Sequence, residues 1–380
     1  RYADHILRYP YGGEAEAVLE LLQGKSEAAR DFARAEDALV FYGSEGTSYR
    51  SSRVLAQACA NLLIETDHVG RANNGLIAVW PRPNTQGAWD MGFRPLAENP
   101  QALEEAGGLY IAGADPVGEG KAADLGDKFM IVQELFLTDT ARQADVVLPA
   151  QAPTEKSGTF TSGERRVQRF QPVVPARGDT LPDYEIVSRV GSLLGLDMPN
   201  GSAEAVLGKI AKQKPDYAGV TLEALGKVEP QRPLIVPREY AYIGTAYKNT
   251  FGLGGQLVPF AQRAQVKAGE VPELEPVEAE GLLAVPVTRL YDQGTMIAAS
   301  ETLAPRLLEA QLLMHPDDAL AAGVKAGDQA LAVLSGQEVQ GLVGVEEDIP
   351  PGVVLIPRSM GVYLAQPTAV EVRALAPADA

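Results

Sequence analysis

Five short apolar runs, each followed by a polar loop, constrain the fold of this chain more than any other feature. Each run has the length of a strand, and stretches with helical spacing of apolar residues lie between several of them. Strands that alternate with helices form mainly parallel sheets with helices on both faces. The pattern therefore predicts an α/β region with an αβα layered architecture. The five runs are DALVFYG (37–43), GLIAVW (75–80), GGLYIAGADP (107–116), KFMIVQE (128–134) and ADVVLPA (144–150).

The pattern changes toward the C-terminus. Between about Pro182 and Val285 the alternation weakens and prolines multiply, which indicates a packing layer followed by a long connection. From Leu290 onward, a helix with Pro316 at its start precedes three β segments separated by glycine- and proline-containing turns, and this predicts a small β-barrel. We therefore predict an α/β domain over 1–190, a connecting and packing segment over 191–288, and a barrel over 289–380.

Composition excludes several classes of partner. The chain of 380 residues has 50 acidic against 33 basic residues and a formal net charge of −17. Nucleic-acid binding depends on clustered Lys and Arg, so we expect no nucleic acid. We also expect no membrane insertion, because no long uninterrupted apolar run exists. The chain begins with Arg1 rather than Met, and we expect a fragment or a processed chain.

The chain has a single cysteine, Cys59, which lies in the helix-like stretch VLAQACANLLIE. One thiol provides neither a disulfide nor a Cys-based metal or iron–sulfur site, since those need several ligands. His5, His68 and His315 are scattered along the sequence. We therefore predict no metal ligand in this chain.

The stretch ADVVLPAQAPTEKSGTFTSGERRVQRF (144–170) starts as an apolar strand and then becomes polar, with glycines and three arginines. In open α/β sheets, ligands bind beyond the carboxyl ends of the strands. The position and composition of this loop therefore predict a ligand site.

Four motifs resemble those of the molybdopterin oxidoreductase superfamily, which includes formate dehydrogenases, nitrate reductases and the large iron–sulfur subunit of NADH-quinone oxidoreductase, respiratory complex I. NTQGAWDMG (84–92) looks like the family's Asn-x-Gln-Gly-Ala-x-Asp-Met-Gly. ADVVLPA with EKSGTFTSGERRVQ (155–168) looks like its Ala-Asp-Val-Val-Leu-Pro strand and Glu-x-x-Gly-Thr loop. LYIAGADPV resembles its strand ending in Gly-x-Asn/Asp-Pro, and HPDDALAAGVKAGDQALAVLSG resembles the opening of its C-terminal barrel.

The resemblance implies an αβα layered region followed by a C-terminal double-psi β-barrel, both facing a pterin dinucleotide in the members that hold one. If pterin is bound, the resemblance implies that molybdopterin guanine dinucleotide contacts Asn84, Gln86, Asp90, Glu164, Arg165, Arg166 and Gln168. Catalysis in the molybdenum members is performed by the metal and its ligands, and those segments are not in this sequence, so we predict no catalytic residue here.

Two interpretations of Arg165 and Arg166 remain open. Guanidinium groups bind phosphate in a bidentate manner, which suits the phosphates of a dinucleotide. The same arginines could form an internal ion-pair network with Glu155 and Glu164 that holds the barrel to the sheet. The sequence does not separate these alternatives.

The sequence departs from the family pattern at two positions that bear on the cofactor. Formate dehydrogenase-like members usually have an Arg-Gly pair where this chain has Trp80-Pro81-Arg82-Pro83, and the loop asparagine is replaced by Ser162-Gly163. A proline in place of a glycine limits the close approach of backbone to a cofactor. We therefore expect no bound cofactor in this chain, with molybdopterin guanine dinucleotide as the alternative.

Two functions follow from the resemblance. The first interpretation is the C-terminal, architectural part of the large iron–sulfur subunit of NADH-quinone oxidoreductase, with iron–sulfur clusters upstream, other subunits of the respiratory complex as partners, and a cytoplasmic location at the inner face of the cell membrane. The alternative is the C-terminal half of a molybdenum or tungsten bis-pterin oxidoreductase such as a formate dehydrogenase.

Overall fold

The computed structural model describes most of the chain. The described residues are 2–43, 47–70, 74–80, 82–119, 125–163, 167–226, 264–274, 281–289, 297, 299–307, 311–334, 337–357, 364 and 366–375. No helix among them has the length and apolarity needed to cross a membrane.

Each of the five apolar runs forms a strand. β1 (Leu39–Tyr42) pairs in parallel with β2 (Gly75–Ala78), and β3 (Gly108–Ala112), β4 (Phe129–Glu134) and β5 (Val146–Pro149) form a parallel three-stranded sheet. The expected single sheet is therefore divided into two parallel sheets among the described residues. The two sheets are separated in the sequence between β2 and β3. Helix α4 (Thr85–Met91) lies in this interval and packs on a separate hairpin.

That hairpin follows the second sheet. β6 (Gly158–Thr161) pairs antiparallel with β7 (Val167–Phe170), and the stacked rings of Phe160 and Phe170 lie 4.5 Å apart. The hairpin is the polar loop that the sequence predicted as a ligand site. It lies beside α4, so the two motifs meet in space.

Helices cover one face of each parallel sheet. α3 (Tyr49–Glu65) packs against β1 and β2, and α6 (Asp139–Arg142) packs against β4. Large apolar side chains on the opposite faces are exposed among the described residues, so helical cover on both faces stays a prediction. On the first sheet these are Leu39, Phe41 and Val79, and on the second Tyr110, Phe129 and Val146.

The remaining helices lie before β1, between β2 and β3, and after the hairpin in the sequence. The N-terminal helices are α1 (Glu14–Leu22) and α2 (Glu27–Arg34), and α5 (Gln101–Glu105) precedes β3. After the hairpin come α7 (Asp183–Leu193), α8 (Ala203–Gln213), a 3-10 turn (Pro215–Tyr217) and α9 (Leu222–Leu225). Two further 3-10 turns lie at Leu96–Glu98 and Ala304–Arg306. A buried cluster joins α8 and the turn after it to β7.

Residues 264–274 lie against α1 and α3. Val271 and Leu274 pack on a cluster formed by Ala15, Val54 and Ala58 of α1 and α3. Most of the chain between α9 and this segment lies outside the described residues. Residues 264–274, which we call the clasp, therefore contact the α/β part shortly before the barrel begins in the sequence.

Six strands close the barrel, and they are β8 (Leu282–Val287), β9 (Gln311–Met314), β10 (Gln329–Leu334), β11 (Gln337–Val345), β12 (Val353–Pro357) and β13 (Thr368–Ala374). Their order around the barrel is β10, β11, β9, β12, β8, β13. The three β segments predicted after the Pro316 helix form β10, β11 and β12. β8 lies inside the segment predicted as a connection (191–288), so the barrel includes residues before 289. Closure of the barrel is shown, whereas its double-psi topology stays a prediction.

The helix predicted at the start of the barrel region is α10 (Pro316–Ala321). His315 caps it, because its Nδ1 accepts a hydrogen bond from the Asp317 backbone N–H at 3.2 Å. Asp318 Oδ2 accepts from the Gly352 N–H at 2.7 Å and so fixes the turn before β12. The His-Pro-Asp sequence therefore begins a helix.

Candidate functional site

The motif Asn84 to Gly92 folds into helix α4 and the residues at its two ends. The helix ends at Gly92, whose φ of 103° lies in the left-handed region that glycine adopts without strain. Asn84 stands at the N-terminus but does not cap its own helix. Its Oδ1 instead accepts a hydrogen bond from the Thr161 N–H at 2.9 Å. Asn84 therefore fastens the start of α4 to the end of β6.

Gln86 and Asp90 lie on one face of α4, four residues apart. Gln86 Nε2 donates to Asp90 Oδ1 at 2.9 Å, and Gln86 Oε1 accepts from the Trp80 indole N–H at 3.1 Å. The amide thus links the end of the second strand to the carboxylate. Three of the predicted site residues, Asn84, Gln86 and Asp90, are brought together here, and both polar atoms of Gln86 are used inside the protein.

Tyr217 completes this cluster, and the sequence analysis missed it. Its hydroxyl donates to Asp90 Oδ2 at 3.1 Å and lies 2.9 Å from Thr161 Oγ1. The side chain is 5% exposed. No sequence pattern could have found it, because it follows Asp90 by 127 residues and lies in a short turn without a motif.

The second predicted group of site residues lies in and beside the hairpin. Glu164, Arg165 and Arg166 lie outside the described residues, so the choice between phosphate binding and an ion-pair network stays open. Gln168 is exposed on β7, opposite Phe160. Its amide is accessible from solvent and remains a candidate contact.

Gly163 shows how closely the hairpin approaches the second strand. A Cβ built on this residue would lie 2.5 Å from the carbonyl oxygen of Ala78 and 3.4 Å from the Trp80 ring. Any larger side chain would force the two backbones apart. The replacement of the family's asparagine by Ser162-Gly163 therefore accompanies a tight contact between the hairpin and β2 next to Trp80.

The two tryptophans of the chain, Trp80 and Trp89, stack on each other, and Trp89 belongs to the motif. The ring centroids of Trp80 and Trp89 are 6.4 Å apart with an interplanar angle of 25°. The Arg94 guanidinium lies over the Trp89 ring at 4.1 Å from its centroid. This stack lies next to the polar cluster, because the Trp80 indole donates to Gln86 and Trp89 belongs to α4.

Asp115, of the Gly-x-Asp-Pro motif, is 9% exposed. It accepts hydrogen bonds from the Thr140 N–H at 3.0 Å, the Thr140 hydroxyl at 2.7 Å and the Gly118 N–H at 3.2 Å. Burial alone would raise the pKa of Asp115, but these hydrogen bonds and one from Thr138 outweigh burial and lower it. This carboxylate holds the loop after β3 against α6.

A second polar cluster lies where β4 and β5 end. The Lys156 amine pairs with Asp183 at the start of α7, and Asp183 Oδ1 accepts from Gln133 Nε2 at 2.7 Å. Burial lowers the pKa of Lys156, while Glu155 and Glu134 oppose that effect. The contacts of this cluster tie α7 to the sheet, so we assign it to the fold.

The donor groups of the site suit a polar organic ligand. Asn84 Nδ2 and the Gln168 amide are exposed and make no hydrogen bond to the residues that the structure describes. Within the same residues, no group of three or more His, Cys, Asp or Glu side chains could hold a metal ion. Cys59 is buried in α3, and this burial raises the pKa of its thiol to about 11.

Comparisons with known proteins give the same family as the motifs. Residues 11–192 match the family model described as molybdopterin oxidoreductase. The alpha subunit of F420-dependent formate dehydrogenase 2 from Methanococcus maripaludis is 31% identical over 389 residues, which cover 90% of this chain and 55% of the relative. The alpha subunit of the F420-dependent formate dehydrogenase from Methanocaldococcus jannaschii is 28% identical over 375 residues, covering 87% of this chain and 55% of the relative.

Among solved structures, acetylene hydratase from Pelobacter acetylenicus matches with a TM-score of 0.43 and 17% identity, covering 61% of this chain and 33% of that chain. The chain spans about half the length of the curated relatives described above. Those relatives are formate dehydrogenase alpha subunits and not subunits of respiratory complex I. The relatives therefore favour the alternative interpretation of the sequence over the first one.

Proposed function

We propose that the chain is the pterin-binding part of a formate dehydrogenase-like oxidoreductase, because residues 11–192 match the molybdopterin oxidoreductase family model. The observation that carries the proposal is the contact between α4 and the hairpin. Two motifs that lie far apart in the sequence meet through the Asn84 to Thr161 hydrogen bond. Such an arrangement suits one ligand that contacts both.

In this proposal the residues of the site have separate roles. The exposed amides of Asn84 and Gln168 would hydrogen-bond the ligand, and Arg165 and Arg166 would bind its phosphates. Gln86 and Asp90, which are engaged with protein groups, would hold the helix in position rather than touch the ligand. The Trp80 and Trp89 stack would exclude water from one side of this cluster.

When bound, the pterin cofactor would supply the metal-centred two-electron chemistry of formate oxidation. This chain would bind and orient that cofactor. The relatives supply the cofactor expectation, which reverses the sequence-based preference for a chain without one. Iron–sulfur clusters outside the chain remain a prediction.

We further propose that the protein works with other subunits, because the relatives are named as alpha subunits. The predicted membrane-peripheral location depended on the respiratory complex interpretation and stays a prediction. Neither proposal changes the assignment of the site.

The test is to purify the protein as it occurs in its cell and measure pterin, molybdenum, tungsten and formate oxidation with an artificial electron acceptor. We expect pterin together with one of the two metals. Asn84→Ala and Gln168→Ala should reduce the pterin content more than Gln143→Ala, an exposed glutamine at the end of α6 that serves as the control. A wild-type protein without pterin and without formate oxidation would refute the proposed function.

A further inference from the structure

We infer that Tyr217 is a positioning residue of this site, whose hydroxyl sets the orientation of α4 relative to β6. The part of the inference that concerns the ligand rests on the proposed function. The hydroxyl lies between a carboxylate of α4 and a hydroxyl of β6, at 3.1 Å from Asp90 Oδ2 and 2.9 Å from Thr161 Oγ1. Since the phenol donates its hydrogen bond to Asp90, the Thr161 hydroxyl donates to the phenol oxygen. One group thus joins two elements that the sequence separates.

The position of this bond along the helix explains why it matters. Asn84 fastens the first turn of α4 to the Thr161 backbone and Gln86 joins the same part of the helix to Trp80, so neither bond holds its last turn. Asp90 lies in the last turn, and Tyr217 holds it to the side chain of the same threonine. Two attachments at opposite ends of a short helix fix both its direction and its rotation.

The orientation of Asp90 affects the contact of Trp80, because Gln86 is hydrogen-bonded to both. Gln86 directs its Nε2 to the Asp90 carboxylate, so its Oε1 faces the indole N–H. The two ends of an amide differ, one being a donor and the other an acceptor, and they cannot be exchanged without losing both bonds. Loss of the Tyr217 hydroxyl should therefore change the surroundings of the Trp80 indole as well as those of Asp90.

The ring of Tyr217 has a separate role from its hydroxyl. It packs in a buried cluster with Val167, Leu207 and Val220. Tyr217→Phe keeps this packing and removes only the oxygen, so the substitution separates positioning from core stability. Tyr184→Phe is the matched control, because the structure gives the Tyr184 hydroxyl no hydrogen bond to a described residue.

The first measurement is the fluorescence of Trp80 and needs no cofactor. The chain has two tryptophans, so Trp89→Phe leaves Trp80 as the single reporter. The emission is measured in that background at a temperature well below the melting temperature. We expect Tyr217→Phe to shift the Trp80 emission maximum, whereas Tyr184→Phe should leave it in place. A role confined to stability would lower the melting temperature and leave the emission of the folded protein unchanged.

The second measurement is the pterin content per folded chain of the holoprotein. We expect about a tenfold decrease in Tyr217→Phe, which corresponds to the loss of a hydrogen bond to a charged group. Should Tyr217→Phe fail to fold, Thr161→Val removes the other partner of the phenol and should show the same two changes in smaller degree.

Unchanged emission and unchanged pterin content per folded chain would overturn the inference, as would equal changes in Tyr217→Phe and Tyr184→Phe. If the wild-type protein holds no pterin, the proposed function fails. The role of Tyr217 in orienting α4 is then decided by the fluorescence alone, where a shift supports it and no shift overturns it.

Discussion

The barrel and the parallel sheets are built from similarly apolar strands, yet they bury them to different degrees. In β9 of the barrel, Leu312 and Met314 are 0% exposed and Leu313 is 2% exposed. In β1 of the first parallel sheet, Leu39 is 49% and Phe41 62% exposed. Apolar composition alone therefore does not determine burial.

The difference lies in closure. A closed barrel directs alternate side chains into one interior, and the interior of this barrel holds a single buried cluster that includes residues of all six strands. A second cluster on the outer side includes Leu313 and contacts Tyr11 of the N-terminal region. Each open parallel sheet leaves large apolar side chains of one face exposed among the described residues. What stabilises their loops is a set of polar contacts at strand ends, such as those of Asp115 and Lys156.

The largest effect should come from the barrel core. Leu312→Ala removes a side chain that is 0% exposed and should lower the free energy of unfolding by about 2 to 5 kcal/mol. The matched control, Leu39→Ala, should change it by less than about 0.5 kcal/mol because Leu39 is already half exposed. Urea unfolding measures both. Equal losses at the two positions would show that a layer of protein covers the face of β1 in solution.

An intermediate effect on stability is expected for Asp115 in the second parallel sheet, and this effect should depend on pH. The hydrogen bonds to Asp115 lower its pKa in the folded state, so its contribution to stability is present above the unfolded-state pKa and is lost as the pH falls through the folded-state value. Asp115→Asn should cost about 1 to 3 kcal/mol at neutral pH. The melting temperature of this variant should also fall less steeply than that of the wild type below about pH 4.

Asp127→Ala is the control for this experiment, since Asp127 is exposed and should give the wild-type acid profile. Parallel acid profiles for wild type and Asp115→Asn would mean that another carboxylate sets the acid limit of this region.

The smallest effect should come from the clasp between α3 and residues 264–274. Asn61 donates to the Gly269 carbonyl at 2.7 Å and accepts from the Gly269 N–H at 2.9 Å. Because Gly269 is exposed and water replaces the lost partner, Asn61→Ala should cost only about 0.5 to 1.5 kcal/mol.

The sensitive measurement for the clasp is hydrogen exchange of the Gly269 amide, which should become faster in Asn61→Ala and stay unchanged in Asn99→Ala. Asn99 is an exposed asparagine outside the clasp. Exchange at Gly269 that is equally fast in the wild type would show that the segment is undocked in solution.

Most strands of the fold could be predicted from the sequence, whereas their grouping could not. The five apolar runs and the three C-terminal β segments formed strands because their length, composition and turn residues are local properties. The pairing of strands depends on contacts between distant residues. The sequence therefore did not reveal that the parallel strands form two sheets, or that Leu282–Val287 joins the barrel.

The candidate site was predicted in part for the same reason. Asn84, Gln86 and Asp90 were found because they belong to one contiguous motif, and the motif also carries the family resemblance. What each side chain does was decided by its neighbours. Asn84 binds the hairpin backbone instead of capping its helix, and Gln86 is used between Trp80 and Asp90.

The sequence by itself determined the family resemblance, the presence of an α/β part and a β-barrel part, and the helix that begins at Pro316, because each is carried by short stretches of chain. Only the tertiary structure decided that Tyr217 reaches Asp90 and Thr161, and that Asn61 holds Gly269. A hydrogen bond between distant residues leaves no periodicity in either segment. It exists because packing brings one donor and one acceptor to within about 3 Å of each other.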